Sequence, residues 1–259
     1  MQASPLISTD LLSHPVPVPP VDLNPCSTCQ GTAWEFVPGK GVRPCSQCQT
    51  KKNTAQTCQD TRIPRRYQHC TLKNYQLVGA VNTSSYVSQA TALRVAQTLA
   101  ETYPKEQKGL LLLGPCGVGK THLVVATALA LQAKGALIRF YDFRELLKLI
   151  QESYNAEDRT SEWKVLAPVR NAEVLILDEI GAARPTDWAL DTMTQIINHR
   201  YNHCQLTLFT SNYADTPTPE HPQSLTERVG PRIRSRLREM CRTLELCGMD
   251  YRAKKEREA

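Results

Sequence analysis

Beyond residue 80 the apolar positions follow two alternating rhythms. Short apolar runs at Gly109–Leu113, Ala136–Tyr141, Glu173–Leu177, Leu206–Thr210 and Thr243–Leu246 predict five buried strands. Strands covered by helices on both faces lose the in–out alternation of a half-exposed sheet and read as continuous hydrophobic runs. Between them, His122–Ala133, Phe143–Glu152, Thr186–His203 and Ser224–Met240 have helical spacing. Ahead of them, Ser85–Tyr103 places Ala92, Val95, Ala96 and Leu99 on one helical face, with Ser84 or Ser85 as the cap. Strand and helix in alternation predict an α/β domain built on a five-stranded, mostly parallel sheet. No internal repeat is visible.

Before residue 60 this pattern dissolves. Residues 1–24 are rich in Pro and Ser (PVPVPPVDLN) and carry little periodicity, which predicts a flexible leader. A cysteine-framed unit over 25–58 follows, and the α/β domain occupies 59–259. No stretch approaches the roughly 18 uninterrupted apolar residues of a membrane-spanning helix. The first residues also lack a charged region leading into an apolar run, so no secretory signal is expected, and a cytoplasmic location is.

In a reducing compartment ten cysteines are not expected to be disulfides. Six lie between Cys26 and Cys70, and four of these form Cys26-x2-Cys29 and Cys45-x2-Cys48, separated by fifteen residues. Two CxxC turns at this spacing predict a structural zinc site, because four thiolates complete tetrahedral zinc with no open position. An iron–sulfur cluster or a redox-active CxxC are the alternatives. Gly31, Gly39 and Gly41 suit a short ribbon with a turn. So small a module cannot fold on a hydrophobic core alone, so the metal must contribute its stability. Cys58, Cys70, Cys116, Cys204, Cys241 and Cys247 lack partner spacing and are expected to pack, with Cys116 contributing mainly its backbone.

The net charge of +6 is uneven. Residues 24–80 carry eight Lys or Arg against Glu35 and Asp60, and Arg228–Arg242 holds six arginines, a distribution compatible with nucleic-acid contact.

The sharpest chemical signal is GPCGVGKT, which fits G-x-x-x-x-G-K-[ST] between a predicted strand and a predicted helix. Its glycines let successive backbone N–H groups turn inward toward phosphate oxygens, and the helix start adds its positive dipole end. The predicted nucleotide-binding stretch is Gly114, Pro115, Cys116, Gly117, Val118, Gly119, Lys120, Thr121 and His122. Lys120 supplies a cation for the β- and γ-phosphates of ATP, and the Thr121 hydroxyl is a magnesium ligand. VLILDE then places Asp178 and Glu179 at the C-terminal end of a buried strand, where open α/β sheets bind ligands. Asp178 is expected to hold Mg2+ and Glu179 to orient the attacking water. At the end of the next strand, Thr210, Ser211 and Asn212 reach the same edge, with Asn212 as the candidate γ-phosphate or water sensor.

In this order, GPCGVGKTH, LILDEIGAARPTDWA, TLFTSNY and ERVGPRIRSRLREM, together with IPRRYQ, LKNY and IINHRY, resemble the AAA+ ATPases. Within them the chain resembles the group of DnaC/DnaI-type helicase loaders and IstB-type transposition helpers, over about Ile63–Arg252. The resemblance implies ATP hydrolysis in a self-associating ring or spiral, with nucleotide between subunits. It makes Arg236 of SRL the arginine finger reaching a neighbour's γ-phosphate and Arg252 of MDYR the second sensor in cis, with Arg228 and Arg232 as weaker candidates. It also implies an extra element near Tyr154–Arg170 facing single-stranded DNA, with Lys164 and Arg170 as backbone contacts. The four-cysteine module favours a loader that delivers a replicative hexameric helicase onto single-stranded DNA. Such a module would bind the helicase, with DNA contact from Lys40, Arg43, Lys51 and Lys52 as an addition. The alternative is a helper ATPase that recruits a transposase to duplex DNA. A small-molecule P-loop kinase is disfavoured by Asp178–Glu179, Asn212 and SRL, and a non-hydrolysing binder by the intact Lys120, Thr121, Asp178 and Glu179.

Overall fold

The structure, a computed structural model, describes residues 27–29, 34–37, 41–45, 61–154, 161–217 and 222–253. The chain divides into two units, Met1–Ala55 and Gln56–Ala259.

In the first unit, strands β1 (Trp34–Val37) and β2 (Gly41–Pro44) pair antiparallel. The register sets Glu35 opposite Arg43, and the two form an ion pair across the ribbon. Cys29 and Cys45 flank this ribbon and are both buried. Cys26, Cys48 and Cys58 lie outside the described residues, as does the 1–24 leader. Among the described residues there is no group of three or more metal-ligating side chains.

In the second unit the Thr61 carbonyl accepts the Phe140 N–H at 2.8 Å, ahead of a short 3-10 turn at Arg65–Tyr67. The elements that follow are α1 (Ser84–Thr102), β3 (Gly109–Leu113), α2 (Lys120–Gln132), β4 (Ile138–Asp142), α3 (Phe143–Tyr154), α4 (Ser161–Asn171), β5 (Val174–Asp178), α5 (Asp187–Asn202), β6 (Leu206–Ser211), α6 (Leu225–Val229), α7 (Pro231–Met240) and β7 (Cys241–Glu245). The sheet order is β4-β5-β6-β3-β7, with every pairing parallel. Successive strand side chains point to opposite faces, so Leu110 and Leu112 join one core with Ala92, Ala96, Leu99 and the apolar side of α2. Leu111 and Leu113 join a second core with Phe143, Leu146, Val169, Met193, Ile196 and Phe209. Two buried faces explain the unbroken LLLL and VLIL runs.

Three expectations are corrected. The predicted Ser224–Met240 helix is two helices, because Gly230 sits at φ 85° and Pro231 restarts the chain as the first residue of α7. The cap of α1 is Thr83, whose hydroxyl accepts the Tyr86 N–H, one residue before the predicted serines. The extra element near 154–170 contains α4; residues 155–160 lie outside the described residues. Cys70 and Cys241 pack in the interior, whereas Cys116, Cys204 and Cys247 are exposed, so the expectation that the last two pack is wrong. No helix of the described residues is long and apolar enough to cross a membrane.

Candidate nucleotide site

The C-terminal ends of β3, β5 and β6 meet at a cavity of about 510 Å³. Its floor is the loop between β3 and α2, and Cys116, Gly117, Val118, Gly119, Lys120, Thr121 and His122 all line it. Its other wall is the segment before α1, with Arg66, Tyr67, Asn74, Tyr75 and Gln76, and the chain after β7, with Tyr251 and Arg252. Glycine is required at 119: its φ is 92°, and an added Cβ would lie 2.9 Å from the Tyr75 ring. Tyr75 lies against the loop because its hydroxyl donates to the Val118 carbonyl at 3.3 Å.

Lys120 is only 6% exposed. Its Nζ donates to the Gly114 and Pro115 carbonyls at 2.8 and 2.7 Å and to Asn212 Oδ1 at 2.8 Å. Burial pushes its pKa down to about 8. The Thr121 hydroxyl donates to the Asp178 carboxylate at 3.0 Å, and the Thr210 hydroxyl donates to Asp178 Oδ1 at 2.6 Å. Despite both bonds, burial pushes Asp178 up to about 6, and the Glu179 and Asp142 carboxylates add to the rise. Thr210 also accepts the Glu179 N–H at 2.9 Å, so one hydroxyl holds both acids in register. This corner is short of positive charge, and its hard oxygen donors are those a magnesium ion takes.

Glu179 has a left-handed backbone (φ 57°), and its carboxylate accepts from Arg144 Nη2 at 2.8 Å. The parallel register sets Asp142 beside Asp178, which brings the start of α3 next to Glu179. His122 Nε2 lies 3.0 Å from Asn74 Oδ1 and 3.3 Å from the Thr71 carbonyl. Both partners are acceptors, so Nε2 carries the proton. This contact ties the first turn of α2 to the segment that walls the cavity.

Residues 51–259 match the family described as IstB-like ATP binding protein. The chain belongs to this family. The crystal structure of the DnaC helicase loader superposes on 71% of this chain and 100% of its own, with TM-score 0.60 and 31% identity. The replicative helicase loader DnaC of Escherichia coli (strain K12) is 22% identical over 172 residues, 66% of this chain and 64% of its own. An ATP-binding protein of insertion sequence IS21 from Pseudomonas aeruginosa is 30% identical over 159 residues, 61% of this chain and 57% of its own. The chain thus spans less than two thirds of the length of these curated relatives. The fold is the α/β AAA+ type.

Within this IstB-like domain, Lys120, Thr121, Asp178, Glu179 and Asn212 come together from three strand ends, and Arg252 lines the same cavity. The chain leading to Arg252 lies on the phosphate loop: Tyr251 N–H donates to the Gly117 carbonyl at 3.1 Å. Arg236 is elsewhere, against Asn198 and Tyr201 of α5. Arg232 is exposed, whereas the Arg228 guanidinium is engaged within its own domain, on the Gly181 and Ala183 carbonyls and on Gln223. Arg170 lies over the exposed ring of Trp163, and Lys164 is exposed on the same helix. The sequence reading missed Arg144 and the walling role of Asn74, Tyr75 and Tyr251. IPRRYQ and LKNY marked the segment, but nothing local to it says that it folds back over a loop some forty residues away.

Proposed function

We propose that this IstB-like protein hydrolyses ATP at the phosphate loop and uses the cycle as a helicase loader on single-stranded DNA. The observation that carries the ATPase reading is the Lys120–Asn212 contact of 2.8 Å beside the Thr121–Asp178 contact, which joins three strand ends at one phosphate-sized point. In this reading the loop amides and Lys120 bind the phosphates. Thr121 and Asp178 would hold the magnesium ion, which neutralises phosphate charge when bound. Glu179 orients the attacking water once its carboxylate leaves Arg144. Asn212, already bonded to Lys120, reports the γ-phosphate, and Arg252 contacts it from the chain after β7.

Arg236 lies outside the cavity of its own chain and fits the finger a neighbour supplies, so subunits assemble with nucleotide between them. The lone chain is then a slow ATPase. The match at 31% identity to the whole crystallised chain of the DnaC helicase loader supports a replicative helicase as partner. Trp163, 60% exposed beside Arg170 and Lys164, offers a stacking surface with cations for single-stranded DNA. The 25–58 unit is assigned to partner binding, its ribbon clasped by zinc on Cys26, Cys29, Cys45 and Cys48. The burial of Cys29 and Cys45 at 6% and 0% exposure suits such a site.

A second reading, a transposition helper on duplex DNA, is favoured by the family description and by the IS21 relative. Fluorescence anisotropy with ATP and labelled single-stranded or duplex DNA, with and without a purified hexameric helicase, separates the two. Tight binding to single strands and a complex with the helicase supports the loader. Exclusive duplex binding with no helicase complex refutes it. Lys120→Ala must lose ATP binding in the same preparation; tight binding by that variant removes the ATPase reading.

A further inference from the structure

Behind Glu179 the chain makes a turn through residues 180–183, and the direction of the Glu179 carboxylate depends on how that turn is held. On the β6 side, Ile180 N–H donates to the Thr210 carbonyl at 2.9 Å, and the Ser211 hydroxyl donates to the Ile180 carbonyl at 2.8 Å. On the opposite side it is held from α6. Arg228, from α6, donates through Nε to the Gly181 carbonyl at 2.7 Å and through Nη2 to the Ala183 and Ala182 carbonyls at 2.6 and 3.5 Å. Its Nη1 donates to Gln223 Oε1 at 3.1 Å. Its Cζ lies over the ring of Tyr213, the residue after Asn212, 4.8 Å from the ring centre.

One guanidinium thus grips three consecutive carbonyls behind Glu179 and rests on the neighbour of Asn212. A rigid planar fork can do this because its donors point in fixed, divergent directions. An ammonium group can hold one carbonyl well but cannot hold the turn and stack on the ring together. The placement has chemical weight because a displacement of about 1 Å in a water-orienting group costs on the order of 100-fold in rate.

We propose that Arg228 is a positioning residue for hydrolysis, fixing the 180–183 turn against Tyr213 so that Glu179 and Asn212 keep one mutual geometry. It touches no nucleotide and acts through these two residues; the proposal rests on the ATPase reading above.

The test compares the full-length wild type with Arg228→Met, Arg228→Lys and Ser224→Ala. Ser224 is the control because it forms the capping box of the same helix with Glu227, without touching the 180–183 carbonyls. Each protein is assayed for the dissociation constant of a fluorescent ATP analogue, for kcat and KM under the most stimulating conditions, and for thermal midpoint. Arg228→Met is expected to bind nucleotide within about twofold of wild type while kcat falls on the order of 10- to 100-fold. Arg228→Lys should recover part of that loss, and Ser224→Ala should lower the midpoint while keeping kcat. Wild-type kcat in Arg228→Met overturns the proposal, as does an equal loss in Ser224→Ala at a matched fall in midpoint. If Arg228→Met does not fold, Arg228→Lys decides, and an unchanged kcat there overturns it. A wild type that hydrolyses no ATP overturns the ATPase reading and this one with it; an active wild type beside an equally active Arg228→Met overturns this one alone.

Discussion

Replacing Lys120 by Met should make the protein more stable while abolishing nucleotide binding. Lys120 is buried, with 6% of its surface exposed, and burial lowers its pKa from an ordinary 10.5 to about 8. That lowering corresponds to about 3 kcal/mol of unfavourable charging in the folded state. Methionine keeps the length of the stem without the charge and removes that cost, offset in part because the Gly114 and Pro115 carbonyls and Asn212 Oδ1 lose their donor. For a domain of about 200 residues the net gain appears as a rise in thermal midpoint of a few degrees, on the order of 2–5 °C.

The pH dependence follows with a definite sign. Below about pH 8 the amine is charged in both folded and unfolded chains, and the penalty is constant. Between about 8 and 10.5 the folded protein loses the proton while the unfolded chain keeps it, so wild-type stability gains on the variant as pH rises. Guanidinium denaturation of both proteins at pH 7 and at pH 10 measures this directly. A variant that is less stable than wild type at pH 7, or a gap that does not narrow at pH 10, refutes the account of Lys120 as a strained, functional charge.

Further outcomes follow from other contacts. Arg144→Ala frees the Glu179 carboxylate and should raise unstimulated ATP turnover, read by single-turnover kinetics at low protein concentration; a fall would make Arg144 a helper instead of a restraint. Arg200 is fully buried and donates to Thr207 Oγ1 and to the Val169, Ala172 and Leu206 carbonyls, so Arg200→Leu should cost about 2–4 kcal/mol in denaturation, with hydrogen exchange rising first in α4. Elemental analysis should find one zinc ion per chain, lost in Cys29→Ser; a metal-free wild type purified without chelator would remove the zinc assignment.

Much of the fold was legible because buried parallel strands announce themselves. LLLL and VLIL have no solvent face, and each strand lies within about two residues of its predicted bounds. Phosphate-loop chemistry was legible for a related reason, since its glycines, Lys120 and Thr121 are contiguous. The break at Gly230–Pro231 was visible as a helix-breaking pair, but the arginine spacing on either side masked it. What local pattern cannot carry is contact across the sheet. Arg144 and Glu179 are thirty-five residues apart and meet only because β4 and β5 pair with Asp142 beside Asp178. Tyr75 and Val118 meet across forty-three residues through a segment with no periodicity of its own. In the sequence Arg228 is one cation of a basic run and a weaker candidate for a nucleotide-contacting arginine; the turn behind Glu179 gives its guanidinium specific partners.

The central claim is that each nucleotide site is completed by a neighbouring subunit, and subunit mixing tests it most directly. On the proposed roles, Glu179→Gln would lack the water-orienting acid and Arg236→Ala the finger, so each alone should bind ATP and hydrolyse almost none. Mixed in equal amounts on the stimulating DNA or partner, about one interface in four pairs an intact Glu179 with an intact Arg236. Hydrolysis should therefore return to roughly a quarter of the wild-type rate. A mixture as inactive as its components would contradict a shared site, as would an Arg236→Ala protein that turns over ATP normally by itself.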